Sequence, residues 1–249
     1  MNIPKIFWKY AQIYDLIYSG KNYEEESKRI TRIIKRYKKS DGKELLEVAC
    51  GTGNYLKFFK NDFNCIGLDI SEKMLRIARK KLSKIKFVKG NMVNFKLNKK
   101  FDVILCLFNS IGYAKTYKNL EKTIRNFSSH LKNGGILIIN PWFSKSDFKP
   151  KTNVGLYENE KIKIARIYVA QKIKETSILN LHFLIAEKGK VKYLTDRHKL
   201  DLFEYSKFLK IMKKNGLNSE FVKIGVKKQA KKKYLSDVIK NHFFVGVKN

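Results

Sequence analysis

Apolar and polar positions along the chain follow two different rhythms. Up to about residue 140, short apolar blocks alternate with stretches of helical period. YEEESKRITRIIKRYKK, Tyr23 to Lys39, puts Ile30, Ile33 and Ile34 on one stripe, with acids early and bases late as the helix dipole prefers. Within the first ~40 residues, which read as helical, it is followed by the turn KSDGK. ELLEVA then predicts a strand, NYLKFFK the opening of a helix, and CIGLDI a second strand. SEKMLRIARKKL predicts a helix with Ser71 placed to cap it. KIKFVKG predicts a third strand. FDVILCLF predicts a fourth, nearly all apolar, as a strand covered on both faces should be. YKNLEKTIRNFSSHLK predicts a helix stopped at NGG, and GILIIN a fifth strand. This alternation implies an α/β fold with a parallel, doubly wound sheet.

After Pro141 the period shortens. Segments 160–171, 176–187 and 190–200 alternate like strands and are joined by short turns such as EKGK, so two or three antiparallel strands are expected over one end of the sheet. LFEYSKFLKIMKKNG, Leu202 to Gly216, returns to a helix with a glycine stop. SEFVKIGV and HFFVGVKN predict a closing antiparallel pair.

Composition narrows the picture. The chain has 249 residues, of which 43% are hydrophobic and 13% aromatic, enough for one α/β domain with an insertion or at most two small domains. No apolar run approaches the roughly 18–20 residues that span a bilayer. The start, MNIPKIFWKYAQ, lacks a basic end followed by an apolar block. A soluble, cytoplasmic protein is expected. Cys50, Cys65 and Cys106 are scattered and form no CxxC pair, which argues against a disulfide framework or a metal site. Net charge is +32, mostly lysine spread along the chain and densest in KKQAKKKY, Lys227 to Tyr234. The charge fits compositional drift, attraction of a small anionic substrate, or nucleic acid.

The stretch LLEVACGTGNYL, Leu45 to Leu56, carries the candidate chemistry. Two glycines let the chain turn tightly from strand to helix and let a ligand approach the backbone. A nicotinamide fingerprint would want a third glycine where Leu56 stands, and the Gly-Lys-Ser/Thr of a phosphate loop is absent. A mere tight turn is the alternative. The acidic partner sharpens the reading. GLDIS ends the second strand with Asp69, 16 positions after Gly53, where a carboxylate can accept both ribose hydroxyls of a nucleoside. KGNMVNF places Asn91 and Met92 at the next strand end, an amide and a thioether that can contact an adenine; ordinary packing is the alternative for Met92.

EVACGTG, GLDIS and the GN-M after the third strand resemble the cofactor signature of class I S-adenosylmethionine-dependent methyltransferases. Further motifs, namely YDLIYSGKNYEEES, LFNSIGY, SHLKNGGILIINPWF, LHFLIAEKGKV and FFVGV, run in the same order as in the dTDP-amino-deoxysugar N,N-dimethyltransferases of macrolide sugar pathways, from about residue 10 to 247. The resemblance implies one Rossmann-like domain. It would hold a mostly parallel seven-stranded sheet with an antiparallel last strand, a helical lid (1–40), a cofactor-binding core (41–143), a β insertion over the active site (144–200), and a final helix and β hairpin (201–249). It implies S-adenosyl-L-methionine as cofactor, no metal, and a small-molecule amine as substrate. A dTDP-linked sugar is the leading candidate acceptor and a homodimer the candidate assembly. An O or N acceptor on another small molecule, or RNA met through the basic surface, are the alternatives.

The resemblance also assigns residues. Tyr18, Glu47, Ala49, Gly51, Gly53, Asp69, Asn91, Met92 and the Leu107 carbonyl would bind cofactor. Tyr14, Asn109, Ser110, Trp142 and His182 would meet substrate, and Tyr113 would accept or relay an amine proton or orient the sugar. Aromatic packing is the plain alternative for Tyr14 and Tyr18, and a core or surface histidine for His182. The Asn140-Pro141-Trp142-Phe143 motif follows the fifth strand. In nucleobase amino-methyltransferases the similar motif follows the fourth, which argues against a DNA or RNA amine methylase. Two positions depart from the family: Asn91 replaces the more usual Asp, and Asn241 stands where macrolide relatives carry the arginine of a Gly-Arg-Gly, with Lys240 or Lys231–Lys233 as substitutes. A lysine is not a bidentate phosphate clamp.

Overall fold

The computed structural model describes residues 3–224 and 242–249. The KKQAKKKY run, Lys240 and Asn241 lie outside the described residues.

The chain opens with a short turn of 3₁₀ helix (Lys5–Phe7), then α1 (Ala11–Ile17) and α2 (Tyr23–Tyr37). Asn22 caps α2 by accepting the Glu25 N–H at 2.9 Å. Ile30, Ile33 and Ile34 are all buried, so the expected stripe is the packed face. There follow β1 (Glu44–Val48), α3 (Leu56–Phe59), β2 (Asn64–Asp69), α4 (Glu72–Lys81), β3 (Lys86–Lys89), β4 (Phe101–Cys106), α5 (Tyr117–Ser129) and β5 (Leu131–Ile139). Ser71 caps α4 as expected, accepting from the Met74 N–H. Then come β6 (Lys151–Glu158), β7 (Ile162–Ile173), β8 (Thr176–Glu187), β9 (Lys190–Asp201), α6 (Tyr205–Lys214), β10 (Leu217–Lys223) and β11 (His242–Lys248).

The main sheet has seven strands in the order β10-β11-β5-β4-β1-β2-β3. All neighbours from β5 to β3 pair in parallel, and β11 runs antiparallel to both β5 and β10. Alternate residues of β4 explain the double winding. Val103 and Leu105 pack with α2, α3 and α4 on one face, while Ile104 and Cys106 pack with α5 and α6 on the other. Every residue of β4 is buried, as its apolar run requires.

Two expectations change. The insertion has four antiparallel strands, β6-β7-β8-β9, rather than two or three. α5 ends at Ser129, and the NGG stretch lies inside β5, where Gly134 adopts φ 73° and its carbonyl accepts the N–H groups of Lys39 and Ser40. The inner face of the four-stranded sheet buries Ile164, Tyr168, Leu181, Phe183 and Leu200 against α1 and the 3₁₀ turn. The insertion and the N-terminal segment thereby roof the carboxyl ends of the parallel strands, where open α/β sheets bind ligands. No helix among the described residues is long and apolar enough to cross a membrane.

Candidate active site

One cavity lies between the carboxyl ends of β1–β4, α1, and the inner face of β7–β9. Its floor is the loop after β1. Ala49, Gly51 and Gly53 all have positive φ (58°, 56° and 76°), so the backbone turns through three left-handed residues in five. That costs a non-glycine residue like Ala49 most and marks a loop over-determined by its surroundings. Ala49 and Gly51 line the cavity; Gly53 does not. A Cβ on Gly53 would meet Leu82 at 3.1 Å and Phe87 at 3.4 Å, so that glycine serves helix–strand packing. The helix that follows the loop, α3, is only four residues long and begins at Leu56, three residues past Gly53.

Asp69, at the end of β2, holds this loop. Its Oδ2 accepts the Gly51 N–H and its Oδ1 the Ser71 N–H, each at 2.8 Å. Burial raises its carboxyl above the ordinary value, partly offset by the N–H groups of Ser71, Gly51 and Ile70. Each oxygen keeps a second acceptor site, and the residue lines the cavity. Glu47 sits beneath, on β1, nearly fully buried, and its Oε2 has no hydrogen-bond partner among the described residues. Burial and the neighbouring Asp69 push its carboxyl well up. Glu47 lies beneath the cavity lining rather than in it, so the structure does not bring it into the wall with Asp69.

At the end of β3, Asn91 and Met92 line the wall, and the Asn91 Oδ1 accepts the Val93 N–H at 3.0 Å. After β4 the backbone is again strained: Phe108 and Asn109 have φ of 51° and 63°, and Lys115 has 68°. Asn109, Ser110 and Tyr113 line the cavity from the turn (Ser110–Ala114) between them. Leu107 is buried outside the lining, and its carbonyl accepts the Ser110 N–H at 3.2 Å. From above come Tyr14 of α1 and Tyr18 at its C-cap, with ring centroids 4.8 Å apart. Trp142 follows β5 and donates its indole N–H to Ser177 Oγ at 2.7 Å, which fixes the ring against the cavity.

His182 is a correction. Strand alternation sends Leu181 into the cavity and His182 to the outer face, where it stacks on Tyr193 with Nδ1 2.5 Å from the phenol oxygen. The wall also contains residues with no motif of their own in the sequence. Arg166 on β7 is buried, donates to the Tyr18 phenol at 3.3 Å, lies over the Tyr18 and Tyr168 rings, and has an Nε without a partner among the described residues. His198 and Leu200 on β9 complete the wall, with Phe7 and Met74. The signal for His198 was its parity: Asp196, His198 and Leu200 share one strand face, and all three are buried. Asp15 of α1 ties the roof to the floor, accepting from Thr52 Oγ1 at 2.5 Å, Asn54 Nδ2 at 3.0 Å and Lys81 Nζ at 2.8 Å.

A methyltransferase domain is matched at residues 45–135, which holds the glycine loop, Asp69 and the strand-four loop. A dTDP-3-amino-3,4,6-trideoxy-alpha-D-glucopyranose N,N-dimethyltransferase of Streptomyces venezuelae is 31% identical over 221 residues, covering 87% of this chain and 93% of that protein. The chain belongs to that family of sugar N-methyltransferases. As a methyltransferase of this family it uses S-adenosyl-L-methionine and methylates an amine of a small molecule. Two solved structures, the second that of a sugar N-methyltransferase, superpose over nearly the whole molecule. DesVI of Streptomyces venezuelae has a TM-score of 0.86 at 29% identity, covering 96% of this chain and 98% of that one. KedS8 of Streptoalloteichus has 0.83 at 27%, covering 96% and 92%. The family fold puts this methyltransferase's glycine loop and its β insertion on opposite walls of one cavity.

Proposed function

We propose that this enzyme N-methylates a nucleotide-linked amino sugar in the cavity between the glycine loop and the β insertion. The carrying observation is that single cavity. One wall holds Asp69, Asn91 and Met92 for a nucleoside, and the other holds Trp142, Tyr168 and Arg166 for a ring and an anion. Bound S-adenosylmethionine supplies an electrophilic sulfonium methyl group. Asp69 would accept ribose hydroxyls through its remaining lone pairs. Met92 and Asn91 would meet the adenine, and Gly51 and Ala49 allow close approach of backbone to ligand. Glu47, beneath the wall that holds Asp69, would favour the positive charge of the cofactor's α-ammonium and sulfonium groups. Trp142, Asn109 and Ser110 would place the sugar, with Tyr14 and Tyr18 closing over the site and excluding water. Catalysis is then mainly positioning and desolvation of a neutral nitrogen.

dTDP-linked amino sugars are the proposed acceptors, because the Streptomyces venezuelae N,N-dimethyltransferase named above acts on one. The test is titration calorimetry with S-adenosylmethionine and S-adenosylhomocysteine, followed by mass analysis of dTDP-amino sugars incubated with enzyme and cofactor. Micromolar cofactor binding and added masses of one or two methyl groups are expected. Cofactor binding with no mass gain on any amino sugar would reject the acceptor class.

A homodimer is proposed as well. Val154, Leu156, Ile167, Leu184, Val191 and Tyr193 are exposed on the outer face of the four-stranded sheet, an apolar surface that a second copy of the chain would cover.

A further inference from the structure

A line of polar contacts leaves the cavity wall and ends on the N-terminal segment. Tyr113 Oη lies 2.6 Å from His198 Nδ1, and His198 Nε2 lies 3.2 Å from Asp196 Oδ2. Asp196 in turn accepts the N–H groups of Lys5 at 2.9 Å, Ile6 at 2.8 Å and Arg197 at 2.8 Å. Those bonds and the neighbouring imidazole outweigh its burial and hold its carboxyl below the ordinary value. A carboxylate only accepts, so His198 Nε2 carries the proton and donates. In the neutral ring Nδ1 is then an acceptor, and the Tyr113 hydroxyl donates to it. Tyr113 and His198 both line the cavity. The other titratable or charged groups that face this space are Tyr14 and Tyr18 from α1, Asp69 from β2, Lys115 from the strand-four loop, and Arg166 and Tyr168 from β7.

We propose that Tyr113, His198 and Asp196 form a proton relay for the acceptor amine. In it Tyr113 meets the nitrogen, His198 takes the proton through Tyr113, and Asp196 is the positioning residue that fixes the imidazole tautomer. This rests on the cavity being the place where the amine is methylated. The nitrogen gives its lone pair to the methyl carbon as the carbon–sulfur bond breaks, its electron pair staying on sulfur. The nitrogen is then cationic and must lose an N–H proton to regain a lone pair for a second methylation. That proton goes to Tyr113 Oη while the tyrosine's own proton passes to His198 Nδ1. The imidazolium is stabilised beside the Asp196 carboxylate until water removes the proton. Burial pushes the Tyr113 phenol well above its ordinary value, so a free tyrosinate is disfavoured. A concerted hand-off avoids forming one.

The test compares the parent enzyme with His198→Gln, Tyr113→Phe and the double variant. The acceptor is dTDP-3-amino-3,4,6-trideoxy-α-D-glucopyranose. Each single variant is expected to lower kcat about tenfold, and the double variant no further, because the two residues act in one path. On the acid side, the parent's log kcat should fall with a slope of about two, from the amine and His198, and that of His198→Gln with about one. S-adenosylhomocysteine affinity should stay within about twofold of the parent's, which separates the relay from a folding defect. Independently of any acceptor, nitrogen NMR of the parent saturated with S-adenosylhomocysteine should show His198 protonated at Nε2. An unchanged acid slope, additive losses, or an Nδ1–H tautomer would overturn the relay while leaving amine methylation intact. Methyl transfer by the parent to no amine would overturn both.

Discussion

Asp69 shows how one carboxylate can shape a loop and still be offered to a ligand. Both oxygens are bonded to backbone N–H groups of the turns they organise. Asp69→Ala is expected to weaken S-adenosylmethionine binding at least tenfold, about 1.4 kcal/mol, with kcat at saturation much less affected. Titration calorimetry and saturation kinetics check it. Cofactor binding equal to the parent's would remove Asp69 from the proposed site. Glu47 predicts a pH effect. Its raised carboxyl means that the folded chain holds a proton that the unfolded chain has lost. Stability of the ligand-free protein should therefore be full below the ordinary carboxylate value and decline as pH rises from there toward the raised value. Glu47→Gln should flatten this decline and raise the melting temperature near neutral pH by about 2–4 °C, read by thermal unfolding at pH 5 and pH 8. The glycine loop and Asp69 were legible in the sequence because a tight turn and a strand-end acid need particular residue types at particular spacing. Arg166 and His198 were not, since a polar residue on a strand's inward face looks like any other in a lysine-rich alternation until a sheet gives that face a direction. The same ambiguity separates His182 from Leu181, the cavity-lining neighbour one residue away.

At the scale of elements, the parallel core announced itself and the insertion did so only in part. β4 is six buried residues of eight-residue apolar sequence, and α2 and α4 carry caps and stripes that tertiary packing then uses. β6 was missed because its burial pattern has no fully buried position: Val154 and Leu156 face outward. The NGG stretch read as a helix stop because Gly favours left-handed backbone. The structure spends that freedom on Gly134, whose added Cβ would lie 2.9 Å from the Ser40 nitrogen. Asp15 fastens the polar side of the roof helix α1 to the glycine loop and to Lys81 of α4. Asp15→Ala should free that end of α1. The expected outcome is faster proteolytic cleavage within residues 3–21 and about fivefold weaker S-adenosylmethionine binding, for a network worth about 1 kcal/mol once its solvent exposure is counted. Unchanged protease sensitivity would show that aromatic packing alone holds α1.

Over the whole molecule, two sheets divide the labour. The seven-stranded sheet builds the floor, and the four-stranded sheet presents an inner face to the cavity and an apolar outer face to its surroundings. Leu184→Glu, at the centre of that outer face opposite Tyr193, is expected to convert a dimer into a monomer at micromolar concentration without changing cofactor affinity. Analytical ultracentrifugation of both proteins decides it, and a monomeric parent would reject the dimer. The division has a practical corollary. β6 to β9 are consecutive in the chain, from Lys151 to Asp201, and Arg166, Tyr168, Leu181, His198 and Leu200 all arrive in the cavity on that single stretch. If the proposed site holds, this stretch supplies one wall of the acceptor pocket as a cassette, facing Asn109, Ser110, Tyr113 and Trp142 from the core. Exchanging it between relatives would change that wall in one cloning step while leaving the glycine loop and Asp69 as they are.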